Sequence, residues 1–287
     1  MIVALLVAGA AVAHTVWNVT VKRTGATGVG YIWSGIVVGA VVFAPFGIQS
    51  LIDSRADLAR WAPLALVSGI MQVVYFLVLQ RGYRLGDVSV VFPLARGTGP
   101  VISVLLAIVL LGERPAPLAL LGAGVVVVGV LVIGFAGGRG RVRDNSAGIR
   151  YGLLVGVIIG IYTLWDAAAV TVFELPPVGF YWASVVFQLV LLGVPALRQW
   201  RSTVATAREN WIAVLLFGVL SPLAYIMILF AIQLASVSIV APAREISVVL
   251  VGLAGWLMFR EPNPAQRLAG AVIVLGGIAL LAFARAG

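Results

Sequence analysis

Apolar residues run along this chain in long unbroken blocks, with polar residues confined to short intervals between them. The blocks lie at 2–21, 29–49, 62–82, 88–111, 117–136, 149–170, 177–197, 211–233, 237–259 and 265–284, bounded by charges, Pro and Gly. Each is close to the roughly 20 residues an α-helix needs to cross a bilayer core. A membrane β-barrel would alternate polar and apolar positions in segments of about ten, and the runs at 101–111 and 125–133 do not alternate. The pattern predicts an all-α membrane protein of ten transmembrane helices. The segment Met1 to Ala13 has the apolar body of a signal peptide but lacks a basic leading region, so it reads as part of the first span.

Composition agrees. Hydrophobic residues make up 62% of the chain and charged residues 10%, with a mean hydropathy of +1.13, whereas a soluble domain is about a quarter charged. These values exclude a water-soluble globule, a nucleic-acid-binding domain and a disordered tail. The net charge of +9 is assigned to loop arginines that meet lipid headgroups, with no nucleic-acid partner. The chain has no cysteine and one histidine, too little for thiol chemistry or a metal cluster, and no cofactor is expected.

The longest polar interval divides the chain into a first unit at 1–137, a basic linker at 138–148 and a second unit at 149–287, five spans on each side. The units repeat at an offset of 148. Trp17-Asn18 answers Trp165-Asp166, His14-Thr15 answers Tyr162-Thr163, and Ala95-Arg96 answers Ala243-Arg244. Glu113 answers Glu261, while Gly122 and Gly129 answer Gly270 and Gly277. A one-residue slip pairs Pro93 with Pro242 and Gln72 with Ser221. Because five is odd, the second unit enters the membrane from the opposite side, which makes the repeat inverted. Exchanging the conformations of two such halves turns an outward-open cavity into an inward-open one.

At these residues the chain resembles the EamA-type transporters of the drug/metabolite transporter superfamily. The resemblance rests on Trp17-Asn18 and Trp165-Asp166, on Leu111-Gly112-Glu113-Arg114 and Arg260-Glu261-Pro262, and on the glycine-bearing fifth spans that begin near Pro117 and Pro264. It implies a ten-helix carrier whose central cavity is lined by the first, third, fourth, sixth, eighth and ninth helices. Arg96 and Arg244 depart from the pattern, standing where many relatives have an uncharged or acidic residue.

Arg96 lies about eight residues into its span, roughly 12 Å along a helix, and Arg244 lies at the matching place beside Glu245. A charge at that depth costs at least about 2.5–3.5 kcal/mol. Its retention in both units calls for a partner or a wet cavity. One reading is a pair of guanidinium forks binding a carboxylate or phosphate; the other is structural ion pairing of Arg244 with Glu245 or Asp166. Asp166 and Glu245 are the candidates for proton coupling, or else partners for arginine. His14, one turn from Asn18, is a third. Trp17, Asn18, Trp165, Tyr162, Tyr75 and Tyr225 are candidate cavity walls, and Gln72 and Ser221 could add uncharged hydrogen bonds. Trp61, Trp200 and Trp211, near span ends, read as an interfacial belt. Glu113 and Glu261 each precede a proline-containing turn, where capping the next helix is the natural structural role. Gly152, Gly156 and Gly160, like Gly35 and Gly39, form small-residue stripes for close helix approach.

These readings converge on a multi-pass cell-membrane protein, in a bacterial inner membrane. Its partners are the lipid bilayer and a small-molecule substrate, and it is a carrier rather than an enzyme. The substrate expected is a small organic anion or an amino-acid-like zwitterion, moved by alternating access with proton coupling. A drug or cation exporter is the alternative, and an integral-membrane lipid enzyme a more distant one. Basic residues favour the odd-numbered connections: Lys22, Arg23, Arg81, Arg84, Arg139, Arg141, Arg143, Arg150, Arg198, Arg201, Arg208, Arg260 and Arg267. Only Arg55, Arg60, Arg114 and Arg285 fall on the other side. By charge the odd connections face the cytoplasm, whereas the resemblance implies cytoplasmic termini.

Overall fold

Proline and the lack of a polar backbone partner in lipid decide where these apolar blocks bend. The computed structural model describes residues 1–25, 28–54, 58–136, 146–259 and 263–286, and among them every element is helical. The first unit contains α1 (Ile2–Thr24), α2 (Val29–Val42), α3 (Ala44–Asp53), α4 (Leu58–Leu85), α5 (Val88–Leu110) and α6 (Pro117–Phe135). The second contains α7 (Ser146–Thr171), α8 (Pro177–Arg198), α9 (Trp200–Glu209), α10 (Trp211–Leu234), α11 (Val237–Ala243), α12 (Ile246–Phe259) and α13 (Pro264–Ala286). Among the described residues, nine segments are long and apolar enough to cross a membrane, and α2 with α3 makes up to ten if that bent pair is one span.

Two of the predicted spans are broken. The block at 29–49 bends by 53° between α2 and α3, where Pro45 in the first turn of α3 has no N–H to extend the α2 ladder. The block at 237–259 breaks after Pro242. There Glu245 N–H reaches the Pro242 carbonyl at 3.0 Å and Val248 N–H reaches that of Glu245 at 2.8 Å, a tight three-residue winding. This break sets Arg244 and Glu245 at a helix junction. Its counterpart α5 carries Pro93 and Pro100 yet stays continuous. α9 is an additional short helix with Trp200, Arg201 and Arg208 exposed, suited to lie at the membrane surface. Of the aromatics expected at the interface, Trp200 and Trp211 are exposed but Trp61 is buried in the core, so the belt reading fails for Trp61.

Packing follows the repeat. α1 lies against α10 and, at the matching place, α7 lies against α4; α5 packs on α7 as α12 packs on α1. The glycine stripes permit this closeness. A Cβ added at Gly156 would lie 2.5 Å from Thr98 Cβ, and one at Gly152 would lie 2.8 Å from Leu94 Cβ, so α7 meets α5 almost backbone to backbone. Between α6 and α13 the contacts are reciprocal. A Cβ on Gly122 would sit 2.9 Å from the Gly277 carbonyl, and one on Gly277 would sit 2.8 Å from that of Gly122. Gly129 and Gly270 face each other in the same way.

One end of the bundle gathers the basic residues. Arg81 Nε, near the end of α4, donates to the Tyr151 hydroxyl near the start of α7 at 2.9 Å. Asn263, before α13, donates to the Ala136 carbonyl after α6 at 3.1 Å. Arg84, Arg150, Arg198, Arg201 and Arg208 lie at this end by chain order, hereafter the basic end. The opposite end carries Asp53, Glu113 and Glu174.

Candidate functional site

Between the two units lies a cavity of about 570 Å³. Its lining follows α1 from Ala10 to Val21 and α4 from Gln72 to Arg84, and starts on α5 at Val88. Arg84 and Val88 are exposed, so the mouth is at the basic end. The cavity stops near Tyr181, Tyr225 and Ile228, short of the opposite end.

Arg96 and Arg244 both reach this one cavity, from α5 and from the α11–α12 junction. Glu245 sits between them, 1% exposed, with Oε2 3.2 Å from Arg96 Nε and Oε1 3.5 Å from Arg244 Nε. Arg96 also donates to Ser247 Oγ at 3.0 Å, and Arg244 to Thr163 Oγ1 at 3.3 Å. The two Nε–H groups and Glu245 Oε2 make no aligned hydrogen bond among the described residues, so charge proximity contributes much of what holds the trio. Two guanidiniums share one carboxylate, leaving one net positive charge on the cavity wall. Several N–H groups remain available to an incoming oxyanion.

The other walls are aromatic. Tyr75, Tyr162, Tyr225 and Tyr181 form a continuous row with ring centroids 5.9, 6.1 and 4.7 Å apart. Across the cavity His14, Trp17, Phe217 and Tyr31 form a second row, at 5.0, 5.2 and 5.5 Å. The Asn18 amide donates to His14 Nδ1 at 3.0 Å and to the His14 carbonyl at 2.7 Å, one helical turn back. The His14 ring is thereby held in the cavity wall, its Nδ1 lone pair occupied.

Of the residues singled out in the sequence, Arg96, Arg244, His14, Trp17, Asn18, Tyr75, Tyr162 and Tyr225 line the cavity, as do Gln72 and Ser221. Trp165, Asp166 and Glu245 are not among its lining residues. The Trp165 indole instead donates to the Leu64 carbonyl at 2.9 Å, a packing contact with α4. Asp166 is fully buried and accepts the Tyr225 hydroxyl at 2.6 Å. Glu113 caps a helix, but not the next one: its oxygens accept the N–H groups of Val237 and Ser238 at 2.6 and 3.0 Å, at the start of α11 in the other unit. Glu261 lies outside the described residues.

Several contributors were not singled out beforehand, among them Phe217 and Ser247. Tyr31 of α2 and Tyr181 of α8 enter the lining, adding two helices to the six the resemblance implies. Behind Gln72 runs a buried polar chain: Gln188 donates to Gln72 at 3.2 Å, and Gln72 and Ser184 donate to Ser68 Oγ at 3.0 and 3.1 Å. A lone amide within an apolar block was the available signal, since such groups face the bundle interior and pair there.

The EamA-like transporter family matches this chain twice, at residues 1–135 and 146–283. The chain belongs to that family. Among relatives of this EamA-like transporter, the pseudopaline exporter CntI of Pseudomonas aeruginosa is 26% identical over 300 aligned positions, covering 98% of this chain and 95% of that protein. A probable terminal-alkyne amino-acid exporter of Streptantibioticus cattleyicolor is 27% identical over 251 residues, 84% of this chain and 78% of its own. The multidrug transporter PA4990 of Pseudomonas aeruginosa is 35% identical over 103 residues, 36% of this chain and 89% of that one. A crystal structure 18% identical in sequence superposes with a TM-score of 0.78 across 99% of this chain and 97% of its own, which establishes the shared fold. The EamA-like protein is thus a multi-pass cell-membrane transporter of the drug/metabolite transporter superfamily, not an enzyme.

Proposed function

We propose that this transporter moves a small organic anion or an amino-acid-like zwitterion by alternating access, coupled to protons. The observation that carries the reading is the meeting of Arg96 and Arg244 in one cavity, with a single carboxylate between them. The acidic group of a substrate competes with Glu245 for the two guanidiniums, and its apolar part packs on the tyrosine row and on Trp17. Tyr75, Tyr162, Tyr225 and Asn18 complete the pocket. The coupled proton is exchanged at Asp166, Glu245 or His14. Two relatives named as exporters of an amino acid and of pseudopaline support a polar metabolite as cargo.

Alternating access needs two units of opposite orientation, 1–137 and 149–287, joined by the basic linker. The reciprocal contacts of Gly122 with Gly277 and of Gly129 with Gly270 support that relation. In this reading a two-fold axis that exchanges the two antiparallel helices runs between them, in the plane of the membrane. The rival reading, a drug or cation exporter, takes support from the relative named as a multidrug transporter. It needs Asp166 and Glu245 free of arginine, and Glu245 contacts two.

Counterflow in proteoliposomes against amino acids, small carboxylates and organic cations tests the proposal. Exchange of a carboxylate or amino acid is expected, with a loss of at least about tenfold in apparent affinity in folded Arg96→Ala and Arg244→Ala. Normal anion exchange by both variants, or exchange of cations alone, would overturn it.

A further inference from the structure

The fold treats two pairs of counterpart residues differently. Asn18 lines the cavity, whereas Asp166, its match in the second unit, is wholly buried beyond the cavity floor. Val21 lines the cavity close to its mouth, and its match Ala169 is fully buried. When the two units exchange conformations, these environments swap. Ala169 and Asp166 then line a cavity open at the end opposite the basic one, while Val21 and Asn18 are sealed.

For an amide that alternation costs little, because its hydrogen bonds are made locally to His14. For a carboxylate it does not, since burying an ion costs several kcal/mol unless it is paired. In the conformation described, Asp166 Oδ2 accepts one hydrogen bond from Tyr225, and Oδ1 makes no aligned hydrogen bond among the described residues, with the Ser68 hydroxyl close to the carboxylate. The groups facing it are Ser68 from α4, Tyr162 on its own helix, Tyr181 from α8 and Tyr225 from α10. Arg244, after α11, also acts on it, but that guanidinium is held by Glu245 and Thr163. The surroundings suit a neutral carboxyl; water at the opposite end suits the ionised one.

We propose that Asp166 is a proton-binding site reached from the end opposite the basic one, and that only its protonated form enters the conformation in which the cavity faces the basic end. This rests on the alternating-access reading above. By linkage, acid favours the basic-end-open form and alkali the opposite-end-open form. Asp166→Asn, neutral at every pH, holds the transporter open at the basic end.

The chain contains no cysteine, so Val21→Cys and Ala169→Cys report access without background. Each is reacted with a water-soluble maleimide in nanodiscs. Its rate is divided by that of Ser202→Cys, an exposed position on α9, which removes the pH dependence of the thiol itself. On acidification the normalised Val21→Cys rate is expected to rise and that of Ala169→Cys to fall, about tenfold for each pKa unit separating the two environments. In the Asp166→Asn background both rates become independent of pH, with Val21→Cys fast; Asp166→Ser serves if Asp166→Asn fails to fold. A pH swing that survives neutralisation of Asp166, or reporters that exchange reciprocally with no pH dependence, would overturn the proposal and leave the carrier intact. Ala169→Cys unreactive under every condition would instead remove the exchange of conformations itself.

Discussion

Glu113 and Val237 join the two units across 124 positions of chain: the carboxylate that follows α5 accepts the Val237 N–H at 2.6 Å. Ser238 N–H donates to its second oxygen at 3.0 Å. The first N–H groups of a helix have no intrahelical partner and carry partial positive charge, so an anion there satisfies both needs. Glu113→Ala is expected to cost about 1 kcal/mol, typical of a lost cap, read as a lower unfolding temperature in detergent. Glu113→Gln, which keeps an acceptor, should lose less.

The Arg96–Glu245–Arg244 trio makes a sharper prediction. Glu245→Gln leaves two facing guanidiniums without their shared anion. Removing one partner of a buried ion pair costs ~3–5 kcal/mol, and the partly wet Arg96 places this case toward the low end. The double variant Arg244→Gln with Glu245→Gln restores the original net charge. It is expected to recover much of the loss in the same thermal measurement while binding the substrate's acidic group less tightly.

Trp17 and Trp165 occupy matching places but should respond differently. Trp165→Phe removes an indole N–H donor to the Leu64 carbonyl and should lower stability by ~1 kcal/mol, with substrate affinity unchanged in the basic-end-open form. Trp17→Ala removes cavity wall and should weaken binding. Thermal unfolding with and without a transported substrate separates the two effects.

Gly277→Val is expected to split the α6–α13 contact, because any Cβ there meets Val126 and the Gly122 carbonyl at 2.7–2.8 Å. Overpacking of this kind costs ~1–3 kcal/mol and should reduce the yield of monodisperse protein. Gly124→Ala is the control: its Cβ would meet nothing within 4 Å, and the variant should behave as the parent in size-exclusion chromatography.

Much of the fold was legible because membrane insertion is decided locally. A block such as 117–136 must be helical in lipid wherever its neighbours lie, and the offset that pairs Trp17-Asn18 with Trp165-Asp166 and Arg96 with Arg244 needs no coordinates. The break in α11–α12 was less legible, since Pro242 breaks its span while Pro93 and Pro100 leave α5 whole. That difference depends on the helices packed around each proline. The target of Glu113 was hidden for the same reason, because chain order suggests the following helix and packing delivers a distant one.

The amino-acid sequence alone determined that this chain crosses the membrane as two related sets of helices, and that a few charges sit at bundle depth, because both follow from the free energy of moving each residue from water into lipid. Tertiary structure decided which of those charges meet in the cavity and which member of each matched pair faces water. In any one conformation the two copies of a motif take different environments, one facing the cavity and the other sealed. Asn18 is wet and Asp166 dry for a reason that lies in the arrangement of the helices, not in the letters of the motif.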